Sequence, residues 1–146
     1  MFLHSVAWLS LFLTFSPPIA KDIERGFLRN SAKDLYSLFP TTTAVNISLP
    51  DPFSFSDELS NEQAYFLIHG IFSFYRTIEF TWESGAAWIP GRPGGILKAR
   101  WSFRNARNNI PSLYSLFFFI SRETDSLGVS GREIVWKILE IKAERL

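Results

Sequence analysis

The chain has no cysteine, which excludes disulfides, thiolate metal sites, a cysteine nucleophile and lipid attachment to a cysteine. It has two histidines, His4 and His69, so only His69 lies outside the N-terminal leader and is the one imidazole to weigh as a base or ligand. Charge of neither sign dominates: fifteen Lys and Arg stand against fourteen Asp and Glu, a formal net charge of +1. The two signs are interleaved along the chain, so no basic stripe is available to neutralise a phosphate backbone, and nucleic acid is not an expected partner. The Gly-rich stretch Pro90-Gly91-Arg92-Pro93-Gly94-Gly95 has no Gly-Lys-Ser/Thr ending and no helix pattern behind it, which excludes a phosphate loop. No cofactor or metal motif is present.

What is present fits one domain, since 146 residues at a hydrophobic share of 47% can build a core that folds alone. The first twenty residues differ from the rest. Ser5 to Phe15 (SVAWLSLFLTF) is apolar but short for a bilayer span, and Pro17-Pro18, Ala20 and the first charge at Lys21 follow. The segment resembles a secretory signal peptide cut after Ala20, which divides the chain into a leader, 1–20, and a domain, 21–146. The product would be extracytoplasmic, periplasmic or secreted. Left uncleaved, the same segment is an N-terminal anchor, the one case in which a membrane is a partner. Asn46-Ile47-Ser48 has N-glycosylation spacing and matters only in a eukaryotic secretory route.

From Lys21 the pattern reads helix, helix, strands, helix, strands. Ile23, Phe27, Leu28, Leu35, Leu38 and Phe39 share one side of a helical wheel, with Arg25, Arg29, Lys33 and Tyr36 on the other. Asn30-Ser31 breaks the segment, and Ser31 with Asp34 has capping spacing, which gives two short helices. Ala44 to Leu49 alternates as a strand, Pro50-Asp51-Pro52 turns, and Phe53 to Ser56 alternates again. Ser60 with Gln63 opens a third helix, Glu62 to Arg76. Its stripe is Ala64, Leu67, Ile68, Ile71, Phe72, Phe74 and Tyr75, opposite Glu62, His69, Ser73 and Arg76. That wheel sets His69 among solvated residues, away from a core site.

The helix runs without a spacer into Thr77 to Trp82, where Ile78, Phe80 and Trp82 share a face. Ile96 to Arg104 repeats the alternation, with Leu97, Ala99, Trp101 and Phe103 opposed by Lys98, Arg100, Ser102 and Arg104. Paired antiparallel across Ser84 to Gly95, the acidic face of one strand meets the basic face of the other, so these charges read as cross-strand ion pairs rather than an anion site. Leu113 to Ser121 is apolar on both faces. A turn at Asp125 to Gly131 leads to a last strand, Arg132 to Lys142, also apolar on both faces, with Ile134, Trp136 and Ile138 set against Val135, Leu139 and Ile141. Strands of this kind are covered on both sides. With helices on one side, a second copy of the chain is the simplest cover for the other, and a homodimer through the sheet face is expected; the alternative is that the N-terminal segment or the long loops cover that face within one chain.

This order of elements, with Leu35-Tyr36-Ser37-Leu38-Phe39 closing the second helix and four long strands after Ser60, resembles the nuclear transport factor two-like, cystatin-like cone fold over Asp22 to Glu144. Within it, Asn61 to Ile68, read as a helix entering the strand that holds Phe80, is similar to small secreted bacterial domains of unknown function. The resemblance implies an α+β fold, a curved and mostly antiparallel sheet wrapped around N-terminal helices, a conical pocket and frequent dimers. The superfamily spans isomerases, dehydratases, polyketide cyclases and interaction modules. The concave face offers Tyr75, Phe80, Trp82, Trp101, Phe103 and Trp136 as pocket lining, and no carboxylate to act as the buried base that isomerases of this fold use. No catalytic residue is assigned. The expectation is an exported noncatalytic domain that binds a small apolar ligand or a protein partner. The alternative is an isomerase, dehydratase or cyclase working in the cone.

Overall fold

The computed structural model describes residues 17–83, 87–88, 93–124 and 134–146. The apolar run Ser5 to Phe15, most of the Ser84 to Gly95 connection and the turn Asp125 to Gly131 lie outside them. Three helices and seven strands follow in the order α1 (Pro18–Leu28), α2 (Ala32–Tyr36), β1 (Val45–Leu49), β2 (Phe55–Leu59), α3 (Asn61–Phe74), β3 (Tyr75–Trp82), β4 (Ala87–Trp88), β5 (Gly94–Asn105), β6 (Pro111–Thr124) and β7 (Ile134–Arg145). The fold is α+β, as expected.

Local chemistry places the helices. Pro18 begins α1, where a missing N–H costs nothing and its fixed φ suits the first turn. The helix stops at Leu28 because Asn30 takes a left-handed φ of 49° and the Ser31 N–H returns to the Gly26 carbonyl at 2.9 Å. Ser31 then caps α2 through the Asp34 amide. Gly26 is needed where the two helices cross, since a Cβ there would fall 2.6 Å from Leu35 Cδ2. Ser60 and Gln63 close a reciprocal capping box on α3.

The sheet runs β2-β1-β7-β6-β5-β3, with β4 beside β5. Every pairing is antiparallel except β1 with β7, which is parallel and sets Ile47 against Ile141. The sheet is curved and unclosed, and its two edges are blunted. Edge strand β2 is short and carries Asp57 and Glu58; on edge strand β3 the Thr77 amide is taken by Asn30 Oδ1 at 3.2 Å. The helices fill the concave side, where Ile23, Phe27, Leu35 and Phe72 pack on Trp101, Phe103, Leu116, Phe118 and Ile138. Two contacts tie α2 to the last strand: the Ile138 amide donates to the Leu38 carbonyl and Lys137 Nζ to the Ser37 carbonyl, both at 2.8 Å.

Several boundaries differ from the sequence pattern. Helix α3 ends at Phe74, so Tyr75 belongs to β3, opposite Asn105, and not to the helix. A bulge between Thr77 and Glu79 turns Ile78 outward at 53% exposure and brings Thr77 to the concave side. A second bulge, at Phe119 and Ile120, skips Leu139, so Ile138 and Ile141 both face the core instead of opposite sides. Leu28 and Phe74, each the last residue of its helix, are exposed because the chain leaves the helical path there. The second short strand begins at Phe55, and Phe53 is a turn residue. The expected cut after Ala20 falls inside α1.

Candidate functional site

The cone interior is an aromatic cluster built from two helices, one turn and three strands. Phe27 of α1 sits in its middle, stacked on Phe80 at 4.9 Å and edge-on to Trp101, Phe72 and Phe118 at 5.1, 5.5 and 5.8 Å. Trp101 stacks on Phe103 at 4.0 Å, and its indole N–H donates to Thr77 Oγ1 at 2.9 Å, so its polar edge is satisfied. Phe53, from the turn after β1, plugs one end against Tyr75, Phe103 and Tyr114 at 4.8, 5.6 and 5.9 Å. At the other end Trp82 meets Phe80 and Phe118.

The six expected lining residues therefore do come to this side of the sheet. Phe80, Trp101 and Phe103 are buried; Tyr75, Trp82 and Trp136 are half-buried against the core, with the Arg122 guanidinium 5.7 Å from the Trp136 ring. Phe80 and Trp101 close on Phe27, Tyr75 on Phe103, and Trp82 on Phe80. Among the described residues, a free space of about 20 Å³ lies between sheet and helices, walled by apolar side chains including Phe27, Ile47, Leu49, Phe72 and Ile141, and of the six only Trp101 borders it. That volume suits about one water, and walls without a polar group leave it dry.

Chemistry in this space would have to come from polar groups, and few are near. Among the described residues the one buried polar or charged side chain is Ser115, on the outer parity of β6 between Arg100 and Glu144. Tyr114, buried in the same core but not bordering that space, carries a hydroxyl. Its hydroxyl lies 2.8 Å from the Pro50 carbonyl and 2.6 Å from that of Asp51, so its proton is shared between two acceptors of the β1–β2 turn. Burial pushes its pKa well above the ordinary phenol value, with Arg145 acting the other way and Asp51 adding to the rise. A phenol so held locks a turn and is a poor proton donor. This role has no sequence signal, since β6 is apolar on both faces. His69 is exposed on α3, stacked on Tyr65 at 5.7 Å, on the solvated side as its wheel position indicates. Among the described residues no three His, Asp or Glu side chains gather to hold a metal ion.

The outer face of the sheet is organised differently. Its centre is Leu113, Phe117 and Phe119 of β6, all half-buried. On one flank stand Lys98, Arg100 and Arg104 of β5 with Arg76 of β3, partly answered by Glu79 and by Glu83, which meets Lys98 at 3.1 Å and Arg100 at 3.4 Å. These are the cross-strand ion pairs expected from the two patterns. On the other flank Glu140 and Glu144 of β7 and Glu58 of β2 outnumber Lys142. A groove follows each flank, one bordered by Glu79, Arg100 and Leu113, the other by Asn46, Glu58, Glu140 and Lys142.

This fold is similar to that of solved structures of very different sequence. A ketosteroid isomerase-like protein from Erwinia carotovora atroseptica superposes with a TM-score of 0.62 at 9% identity, over 87% of this chain and 90% of that one. The chain has the nuclear transport factor two-like cone fold. Other structures of this cone fold include a protein of unknown function in nutrient uptake from Rhodospirillum rubrum (TM-score 0.59, 10% identity, 87% and 94% covered). A hypothetical protein with a ketosteroid isomerase-like fold from Catenulispora acidiphila, solved with trimethylamine, gives a TM-score of 0.60 at 10% identity, with 89% and 86% covered. No family model matches the chain, and no curated protein matches it in sequence. At these identities the likeness is one of cone fold alone, a fold that carries many functions.

Proposed function

We propose that this chain is an exported, noncatalytic interaction module whose working surface is the outer face of its sheet and whose first partner is a second copy of itself. The observation that supports the reading is how closely the described residues fill the cone. About 20 Å³ of apolar space is far below the roughly 300–1,000 Å³ of a small-molecule site, and no carboxylate reaches it among the described residues. Enzyme chemistry in the cone would need a desolvated acid or base there. Binding of a small apolar ligand would need the Phe27 cluster to part.

Support for self-association comes from the outer face. Its charge runs from basic at β5, whose Lys98, Arg100 and Arg104 outweigh the mixed Arg76, Glu79 and Glu83 beside them, through apolar β6, to acidic at β7 and β2. A pattern with opposite signs at its two ends is self-complementary about a two-fold axis, since each basic flank meets the partner's acidic one. The area is adequate too. Four strands about 4.8 Å apart and ten residues long give a face of roughly 20 by 33 Å, which buries about 1,300 Å² over two copies, inside the range of stable interfaces.

Native mass spectrometry of the undenatured protein tests this directly. The expected result is a dimer with no added mass, and a monomer for Phe117→Glu, which sets a charge at the centre of the apolar strip. A wild-type monomer would overturn the self-association, and a reproducible small-molecule mass on the protein would overturn the filled cone.

A further inference from the structure

The leader and the domain meet at a place the burial pattern contests. Pro17 is fully buried, and Ile19 and Ala20 are each only 2% exposed, in the same core as Ile23 and Phe27. Pro17 also accepts from the Ala20 amide at 3.0 Å, closing the first turn of α1. Three of the eleven residues of α1 precede Lys21. A cut after Ala20 would take them away, empty the place of Ile19 beneath the sheet, and set a new ammonium group at a helix N-terminus, where the dipole disfavours positive charge. The local sequence points the same way. Pro18 stands three residues before that bond, where the cleavage pattern takes a small residue.

We infer that Pro17–Ala20 is a built part of the mature domain: the boundary between leader and domain lies at or before Ser16, and the Ala20–Lys21 bond is not a processing site. The inference stands on the burial of α1 and does not depend on what the sheet face binds. Pro17 and Pro18 then act as the stiff joint at which the apolar leader gives way to the core helix, rather than as part of the discarded segment.

The full chain, produced in its own host, supplies the test. Intact mass should show a protein that starts at or before Pro17, whether or not part of the leader has been removed. Ile19→Val, carried through the same route, should fold and lower the thermal midpoint by roughly 2–6 °C, because it deletes a buried methyl from a domain of this size. Lys21→Ala, on the exposed side of the same turn, should leave the midpoint in place. A mass equal to Lys21–Leu146 would overturn the inference. In that case Ile19→Val would give a product identical to the wild type in both mass and midpoint, since the altered residue would be gone.

Discussion

Phe27→Ala is the sharpest test of a cone packed to its centre. Phe27 is 4% exposed and touches four other aromatic rings, so its benzyl group is replaced by nothing that solvent can fill. Losing a buried phenyl forfeits about 2–3 kcal/mol of transfer free energy. The hole left, about 100 Å³ before relaxation, adds about 2 kcal/mol at 24 cal/mol per Å³. A total of about 4–5 kcal/mol is a large part of the stability of a domain this size, about 5–15 kcal/mol, so the variant should fold with a much lower urea midpoint. The hole would join the existing space of about 20 Å³. Together they are large enough for a benzene-sized molecule. Benzene or indole should therefore raise the midpoint of the variant and leave that of the wild type unchanged, as linkage requires of a ligand that binds only where there is room. A cost below about 1 kcal/mol would refute the close packing of the Phe27 cluster. Equal stabilisation of the wild type by the same compounds would refute the filled cone itself.

Two further outcomes follow from single contacts. Gly26→Ala should gain about 1 kcal/mol of helix propensity and lose more, because the new Cβ would lie 2.6 Å from Leu35 Cδ2 in a fully buried side chain; a urea midpoint above that of the wild type would show that the α1–α2 crossing can open. Tyr114→Phe should cost about 1–2 kcal/mol by unpairing two turn carbonyls. It should also flatten the alkaline limb of the stability profile. The folded pKa of Tyr114 is raised, so its contribution is whole below the unfolded phenol value near 10 and is lost as pH climbs above it, where the unfolded chain ionises first. Parallel alkaline limbs for the two proteins, followed by circular dichroism, would refute that role.

Much of this fold is legible in the sequence wherever one local signal dominates. The Ser60–Gln63 box, the Ser31 cap and the alternation of Leu97, Ala99, Trp101 and Phe103 each specify their element without help from distant residues. The pairing of Glu83 with Lys98 and Arg100 follows from the same alternation. What could not be read depends on registration between strands. The bulges that turn Ile78 outward and skip Leu139 answer to the curvature of the whole sheet, and an apolar residue at a bulge looks like any other strand residue. Phe53 shows the same limit. It alternates like a strand, yet its ring closes the end of the cone from a turn, where Tyr75, Phe103 and Tyr114 converge from three separate segments. The six aromatic residues expected to line a pocket were found on the right face, but whether such a set encloses space depends on Phe27 and Phe72, which helical periodicity assigns only to a core.

The one parallel pairing in the sheet bears on how the chain comes to be folded. Strand β1 leaves β2 free at its outer edge and finds its inner neighbour only in β7, far along the chain. Until that strand arrives, β1 and β2 are a lone hairpin, marginal in water, and the Leu38 and Ser37 carbonyls lack the Ile138 and Lys137 groups that dock α2. Contacts that join the two ends of a chain are slow to form. The sheet therefore cannot be completed before β7 is available to pair, and removal of β7 would take away the inner neighbour of the β1–β2 hairpin as well.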